Sequence, residues 1–250
     1  MKFLLDFPLD KTPPEISKDI HRIIREMTES DDPYREVKRR SNEIAKGIYP
    51  DLKKIISKSK DPLLTSVKIA IAGNAIDFGT TRRFDIREVI EGALKEDIDM
   101  ETFRRFKKDL DKGKDVLYLS DNAGEVFFDK ILIEILEDLG KEVTYVVKAN
   151  PIINDATIED ARFAGIDEIA EVIEGDRKGC SAPGFIIENV TEEFMQKFRE
   201  SDIVISKGQG NYEALSDIDR KVYFLLLVKC PLVAKDLGKE VGDYVIKVNR

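Results

Sequence analysis

From residue 115 onward, short apolar runs alternate with stretches of helical periodicity, and this alternation constrains the fold more than any other feature of the chain. Runs 115–120, 142–148, 202–207 and 222–229 are too short for helices and rich in strand-forming residues, so they are expected to be buried strands. A short run at 169–173 and a last one at 242–248 extend the series. The intervening stretches 125–139, 157–164 and 191–201 carry helical patterning. Strands separated by helices need crossover connections, which implies an α/β fold with a mostly parallel sheet covered on both faces. Residues 15–110, in contrast, are mostly helical in pattern. Pro13 and Pro14 are expected to keep the chain extended up to Glu15. Asp31 or Asp32 is expected to cap the helix that follows, with Pro33 in its first turn. The expected organisation is a helical N-terminal domain over 1–110 and an α/β domain over 111–250.

In an open parallel sheet, ligands bind at the carboxyl ends of the strands. The run KDVLYLSDNAGEVFFD ends its strand in Asp121 and Asn122 and turns at once into a helix. These two residues offer only oxygen ligands, which suit hard divalent cations; either of them could instead cap the helix. Asp155, after the second strand, is a candidate third oxygen ligand or the cap of the helix near Thr157. Three strands end in lysine, at Lys148, Lys207 and Lys229, each followed by a turn segment, ANPIIND, GQGNYE and CP. One such lysine would be read as snorkelling to solvent. Three on the sheet edge that carries Asp121 and Asn122 outline an anion site. Gly208 and Gly210 leave backbone amides open to an anion. Asn74 and Asp77 interrupt an apolar stretch and, if buried, need partners; they tie the helical layer to the sheet or close the site from above.

Composition excludes other chemistries. The chain has 250 residues, two cysteines, a single histidine (His21) and a formal net charge of −8. A zinc site built from histidines is excluded, and a serine or cysteine nucleophile would have only His21 as its base. Any hydrolysis must run mainly on carboxylates, lysines and a metal. The negative charge argues against a nucleic-acid partner. No apolar run reaches the roughly 18 residues that span a bilayer, and the N-terminus lacks the apolar core of a signal peptide, so a cytoplasmic location is expected. With 36% charged residues and few glutamines, the composition is thermophile-like. Cys180 and Cys230 have no metal-binding spacing, and nothing in the sequence supports their pairing.

Six segments in order, DPYREVKR, AGNAIDFG, SDNAGEVFFD, VKANPIINDAT, KGQGNYE and LLLVKCP, resemble the metal-dependent damage-control phosphatases, domain-of-unknown-function family 89. The GNYE and KC segments are similar to its stand-alone subfamily. The resemblance implies a Rossmann-like α/β/α domain beside a helical N-terminal domain. It implies a divalent metal, usually manganese, cobalt or nickel, with magnesium also admissible, held by Asp121, Asn122 and Asp155. It also implies hydrolysis of small phosphorylated metabolites, such as sugar phosphates or damaged relatives of normal metabolites. Asp121 and Lys229 are then the expected catalytic residues. Lys148, Lys207, Asn74, Asp77, and Asn211 and Glu213 from the GNYE segment are expected to contact substrate or its phosphate. The nucleophile is either a water on the metal or the Asp121 carboxylate. Glu125 either positions water or stabilises its helix N-terminus, the second role being favoured. Two alternatives stand beside this: a carboxyl methyltransferase using S-adenosylmethionine, against which the turn DNAGE lacks a GxGxG pattern, and a metabolite-binding module without catalysis.

Overall fold

The computed structural model describes residues 11–75 and 83–249. In chain order, the described residues begin with five helices: α1 (Pro13–Thr28), α2 (Arg35–Ser57), α3 (Pro62–Ala75), α4 (Arg83–Lys95) and α5 (Met100–Lys112). Then follow β1 (Asp115–Leu119), α6 (Val126–Asp138), β2 (Glu142–Val147), α7 (Ile158–Ala164), β3 (Glu171–Glu174), α8 (Glu192–Glu200), β4 (Ile203–Lys207), α9 (Gln209–Leu215), β5 (Tyr223–Leu227), α10 (Pro231–Leu237) and β6 (Tyr244–Val248). The strands form one sheet in the order β3-β2-β1-β4-β5-β6. All pairs are parallel except β5–β6, so the expected mostly parallel α/β sheet is present and its last strand runs backwards.

The period-two alternation of the strands sorts their side chains onto two cores. Val116, Tyr118, Tyr145, Ile203, Ile205 and Leu225 meet the helices α2 to α7 on one face. Leu117, Leu119, Val146, Val204 and Phe224 meet Phe194 and Phe198 of α8, Leu215 of α9 and Val233 of α10 on the other. The result is a three-layer, Rossmann-like domain. The first core is continuous from Ala45 of α2 to Ile246 of β6, so the N-terminal helices pack directly on the sheet. Its innermost helix is α3, in which residues 69–74 are all buried. Gly73 lets α3 lie against α6: a Cβ there would stand 2.9 Å from Cβ of Phe128. This close approach delivers Asn74, at the end of α3, to the carboxyl edge of the sheet.

Several local expectations are corrected. Pro13 and Pro14 open α1 rather than stop it, because the first helical positions need no N–H donor. Asp32 does not cap α2, whose N-cap is Tyr34; its carboxylate accepts from the Tyr34 amide in a turn just before the helix. The segments GQGNYE and CP are not plain turns, since they begin the short helices α9 and α10. Each packs apolar side chains, Leu215 or Val233, into the second core, and that burial outweighs the turn signal of their glycines and proline. Both cysteines are free. Among the described residues no helix is long and apolar enough to cross a membrane.

Candidate active site

Strand order reverses between β1 and β4, and open α/β sheets bind ligands at that switch point. Asp121 leaves β1 there. Gly208 leaves β4 with φ 80, and a Cβ on it would stand 2.0 Å from Oδ2 of Asp121. Only glycine lets the two loops meet so closely. On the other side, the loop after β2 is zipped to the Asp121 turn. The Ala156 amide donates to the Asp121 carbonyl at 2.8 Å, the Ala123 amide to the Asn154 carbonyl at 2.8 Å, and Asn122 pairs with Asp155 in an antiparallel bridge. Thus Asp121, Asn122 and Asp155 share one short stretch of paired backbone. Ile153, in the same loop, is held at φ 46, a strained conformation for a β-branched residue.

The floor of the site is a ring of four hydrogen bonds. The amide nitrogen of Asn74 donates to Asp121 Oδ2 at 2.7 Å and to Glu125 Oε1 at 2.8 Å. The amide nitrogen of Asn122 donates to the same two oxygens, both at 2.9 Å. Below the ring, Lys207 donates to Glu125 Oε2 at 2.9 Å and to Asp129 Oδ1 at 2.8 Å. Asp129 also accepts from the hydroxyls of Tyr118 at 2.7 Å and Tyr145 at 2.8 Å. Glu125, Asp129, Lys207 and both tyrosines are buried. Burial and the Glu125 charge push the Asp121 carboxyl up to about 7, against the pull of Lys229, Lys207 and Lys148. Burial also raises Asp155 well above the carboxylate range, whereas Lys207 and Lys229 outweigh it at Glu125 and lower that group.

Strand parity separates Lys207 from Lys148, and Lys229 differs from both because it lies beyond its strand. Lys207 is the last residue of β4 and falls on the Ile203 and Ile205 face, so its ammonium points into the core under α6 and is consumed by two carboxylates. Lys148 falls on the opposite face. Its ammonium lies 3.5 Å from the centre of the Phe185 ring and 3.9 Å from Asp155 Oδ2, is 1% exposed, and has no hydrogen-bond partner among the described residues. Lys229 lies two residues beyond β5 and is exposed, with its backbone amide donating to Gln209 Oε1 at 3.1 Å. Asn211 is buried and ties loops together: it donates to the carbonyls of Ser120 and Lys207 and accepts from the Phe185 amide. Glu213 is half-buried, accepts from Gln209 and is raised by burial. Asp77 lies outside the described residues. Glu125 precedes α6 but makes no capping hydrogen bond with its side chain.

Three contributors were not singled out in the sequence. Asn42 of α2 accepts from the Gly124 amide and donates to Asp160, each at 2.7 Å, so it fastens the Asp121 turn to α7. Its signal was a polar residue on the buried helical face shared with Ala45 and Leu52. Asp129 is the polar residue on the apolar face of α6. Asp176, after β3, is buried and accepts from the Ala149 amide with Oδ1, while its Oδ2 has no partner among the described residues.

Among the described residues, no three His, Cys, Asp or Glu side chains form a group that could hold a metal ion. The expected set, however, has an amide as one member. The donors fit a hard cation: they are all oxygens, and the buried Oδ2 of Asp155 accepts no hydrogen bond among the described residues and faces the Lys148 ammonium only at 3.9 Å, so its acceptor capacity is not filled.

Comparisons with known proteins agree with this geometry. The family model described as a damage-control phosphatase ARMT1-like domain matches residues 1–245. A damage-control phosphatase of Archaeoglobus fulgidus is 41% identical over 234 residues, 92% of this chain and 80% of that protein. An uncharacterised protein of Methanocaldococcus jannaschii is 40% identical over 237 residues, covering 91% and 77%. The crystal structure of a DUF89 family protein of Pyrococcus horikoshii superposes with a TM-score of 0.84 at 35% identity, covering 93% and 81%. The chain therefore belongs to the ARMT1-like damage-control phosphatase family, and its activity is that of a phosphatase.

Proposed function

We propose that the chain hydrolyses phosphate esters of small metabolites, sugar phosphates or their damaged relatives among them, using a divalent cation held by Asp121, Asn122 and Asp155. The observation that carries this is the meeting of those three residues on zipped backbone at the switch point of the sheet, beside the buried ammonium of Lys148, which makes no hydrogen bond among the described residues. Manganese, cobalt or nickel is the proposed metal, and magnesium is compatible with the same oxygen donors. When bound, the cation supplies positive charge at a phosphoryl oxygen. Lys148 and Lys229 hold the remaining phosphoryl oxygens and offset charge as the ester bond breaks. Lys207 and Asn74 take a different role from the one expected, because their polar atoms are committed to Glu125, Asp129, Asp121 and the Leu227 amide; they hold the ligands in place. Residues 111–250 carry the chemistry, with 1–110 as the covering helical unit that supplies Asn74 and Asn42. The substrate is a small molecule and the location cytoplasmic in this proposal, with no nucleic-acid partner.

The test is a phosphate-release screen of the metal-stripped protein against sugar phosphates, with Mg, Mn, Co and Ni restored singly. Activity should appear only with metal and should be lost in Asp121→Ala. Equal turnover in metal-stripped protein, or in Asp121→Ala with metal, would refute the assignment.

A further inference from the structure

The hydrogen-bond ring under the site contains information about which atoms face the cation. Asn74 has no choice of orientation: its Oδ1 accepts from the Leu227 amide at 3.2 Å, so its nitrogen must face Asp121 and Glu125. Glu125, ion-paired with Lys207, only accepts, so Asn122 must also present its nitrogen to Glu125 Oε1, and the same nitrogen donates to Asp121 Oδ2. Both N–H groups of Asn122 are thereby consumed, and its carbonyl Oδ1 is the end of the amide left for a cation. If the amide were turned over, two N–H donors would face the metal and the ligand would be lost.

Asp121 Oδ2 alone would not enforce this, since one bond can be made from several orientations. The second acceptor is Glu125, which lies 1% exposed beneath the ring. Its other oxygen is anchored by Lys207, and Lys207 is itself anchored by Asp129, whose two oxygens are filled by Tyr118 and Tyr145. The chain Tyr118/Tyr145–Asp129–Lys207–Glu125 thus runs from the core to the site with a donor and an acceptor matched at every joint.

We infer that Glu125 is a positioning residue that selects the carbonyl oxygen of Asn122 for the cation, an inference that rests on the metal assignment proposed above. It touches neither substrate nor metal; it acts through Asn122. In Glu125→Gln, Lys207 would claim the new amide's oxygen, and its NH2 would face the NH2 groups of Asn74 and Asn122. Asn74 is fixed by Leu227, so Asn122 is the group that turns. An aspartate at position 122 needs no orientation, because one oxygen can accept from the new amide while the other serves the cation.

The experiment is calorimetric titration of manganese into metal-stripped protein, with folding checked by circular dichroism. Glu125→Gln should weaken manganese binding by about 10–100-fold, the usual effect of losing a group that orients a metal ligand. The double variant Glu125→Gln/Asn122→Asp should recover most of that loss, and it also serves if Glu125→Gln alone folds poorly. Asp121→Ala separates the two levels of the reasoning. Manganese binding that survives Asp121→Ala refutes the metal assignment itself. Binding lost in Asp121→Ala but unchanged in Glu125→Gln overturns the positioning role alone. A loss in Glu125→Gln that the double variant fails to restore also overturns it, since a general structural defect would not be cured by Asn122→Asp.

Discussion

Replacing Gly208 with alanine separates two effects that meet at one residue. Gly208 has φ 80 and ψ 165, a region essentially reserved for glycine, so the backbone alone should cost about 1–3 kcal/mol. For a chain of this size each kcal/mol lowers Tm by about 2–4 °C, so a loss of several degrees is expected. The second effect is local. The new Cβ would lie 2.0 Å from Oδ2 and 2.3 Å from Cγ of Asp121, where real Cβ contacts stay above 3.0 Å. The carboxylate must therefore retreat by about 1 Å, which breaks its bonds from Asn74 at 2.7 Å and Asn122 at 2.9 Å. Misplacing a reacting group by that distance costs on the order of 10²-fold in rate. Gly179→Ala is the control: Gly179 also has φ +80, but no atom lies within 4 Å of the added carbon. Both variants should melt earlier, and only Gly208→Ala should lose turnover and manganese affinity. Wild-type turnover and manganese affinity in a folded Gly208→Ala protein would refute the claim that this glycine exists to admit Asp121.

Lys229→Ala should lower kcat by about 10²–10³ while leaving metal affinity nearly unchanged, with Lys229→Arg recovering part; unchanged steady-state kinetics would remove Lys229 from the site. Asp129→Ala leaves Lys207 with one carboxylate and strands two tyrosine hydroxyls, so urea unfolding should register a loss of about 3–5 kcal/mol. A loss below about 1 kcal/mol, typical of an exposed pair, would refute the buried-network description. Asp202 is held below the usual carboxylate range by the amides of Asp115 and Lys114, which donate at 3.0 and 2.7 Å. A depressed pKa gives stability above the unfolded value of about 3.9 that disappears as pH falls through the folded one. Asp202→Ala should therefore melt earlier than wild type at neutral pH and equally at pH values below the folded pKa; a gap that persists in acid would contradict this.

How much of this was legible in the sequence depended on the range of the interaction involved. Strand and helix identity after residue 115 follow from local periodicity, because a two-residue or 3.6-residue repeat is set by backbone geometry alone. The alternation of the two also requires crossovers, and so a parallel sheet with its ligands at one edge. That was enough to bring Asp121, Asn122 and Asp155 together as candidates. Strand parity would even have separated Lys207 from Lys148, since Lys207 shares the face of Ile203 and Ile205 whereas Lys148 shares that of Val146. Tertiary structure decided what lies more than eighty residues away in sequence and a hydrogen bond away in space. Asn74 reaches Leu227, Asn42 reaches Asp160, and Glu125 is held by Lys207 rather than by its own helix. A polar residue on an apolar helix face announces only that it needs a partner. Which partner it finds is set by helix packing, here by Gly73 letting α3 close on Phe128, and that packing has no period to read along the chain.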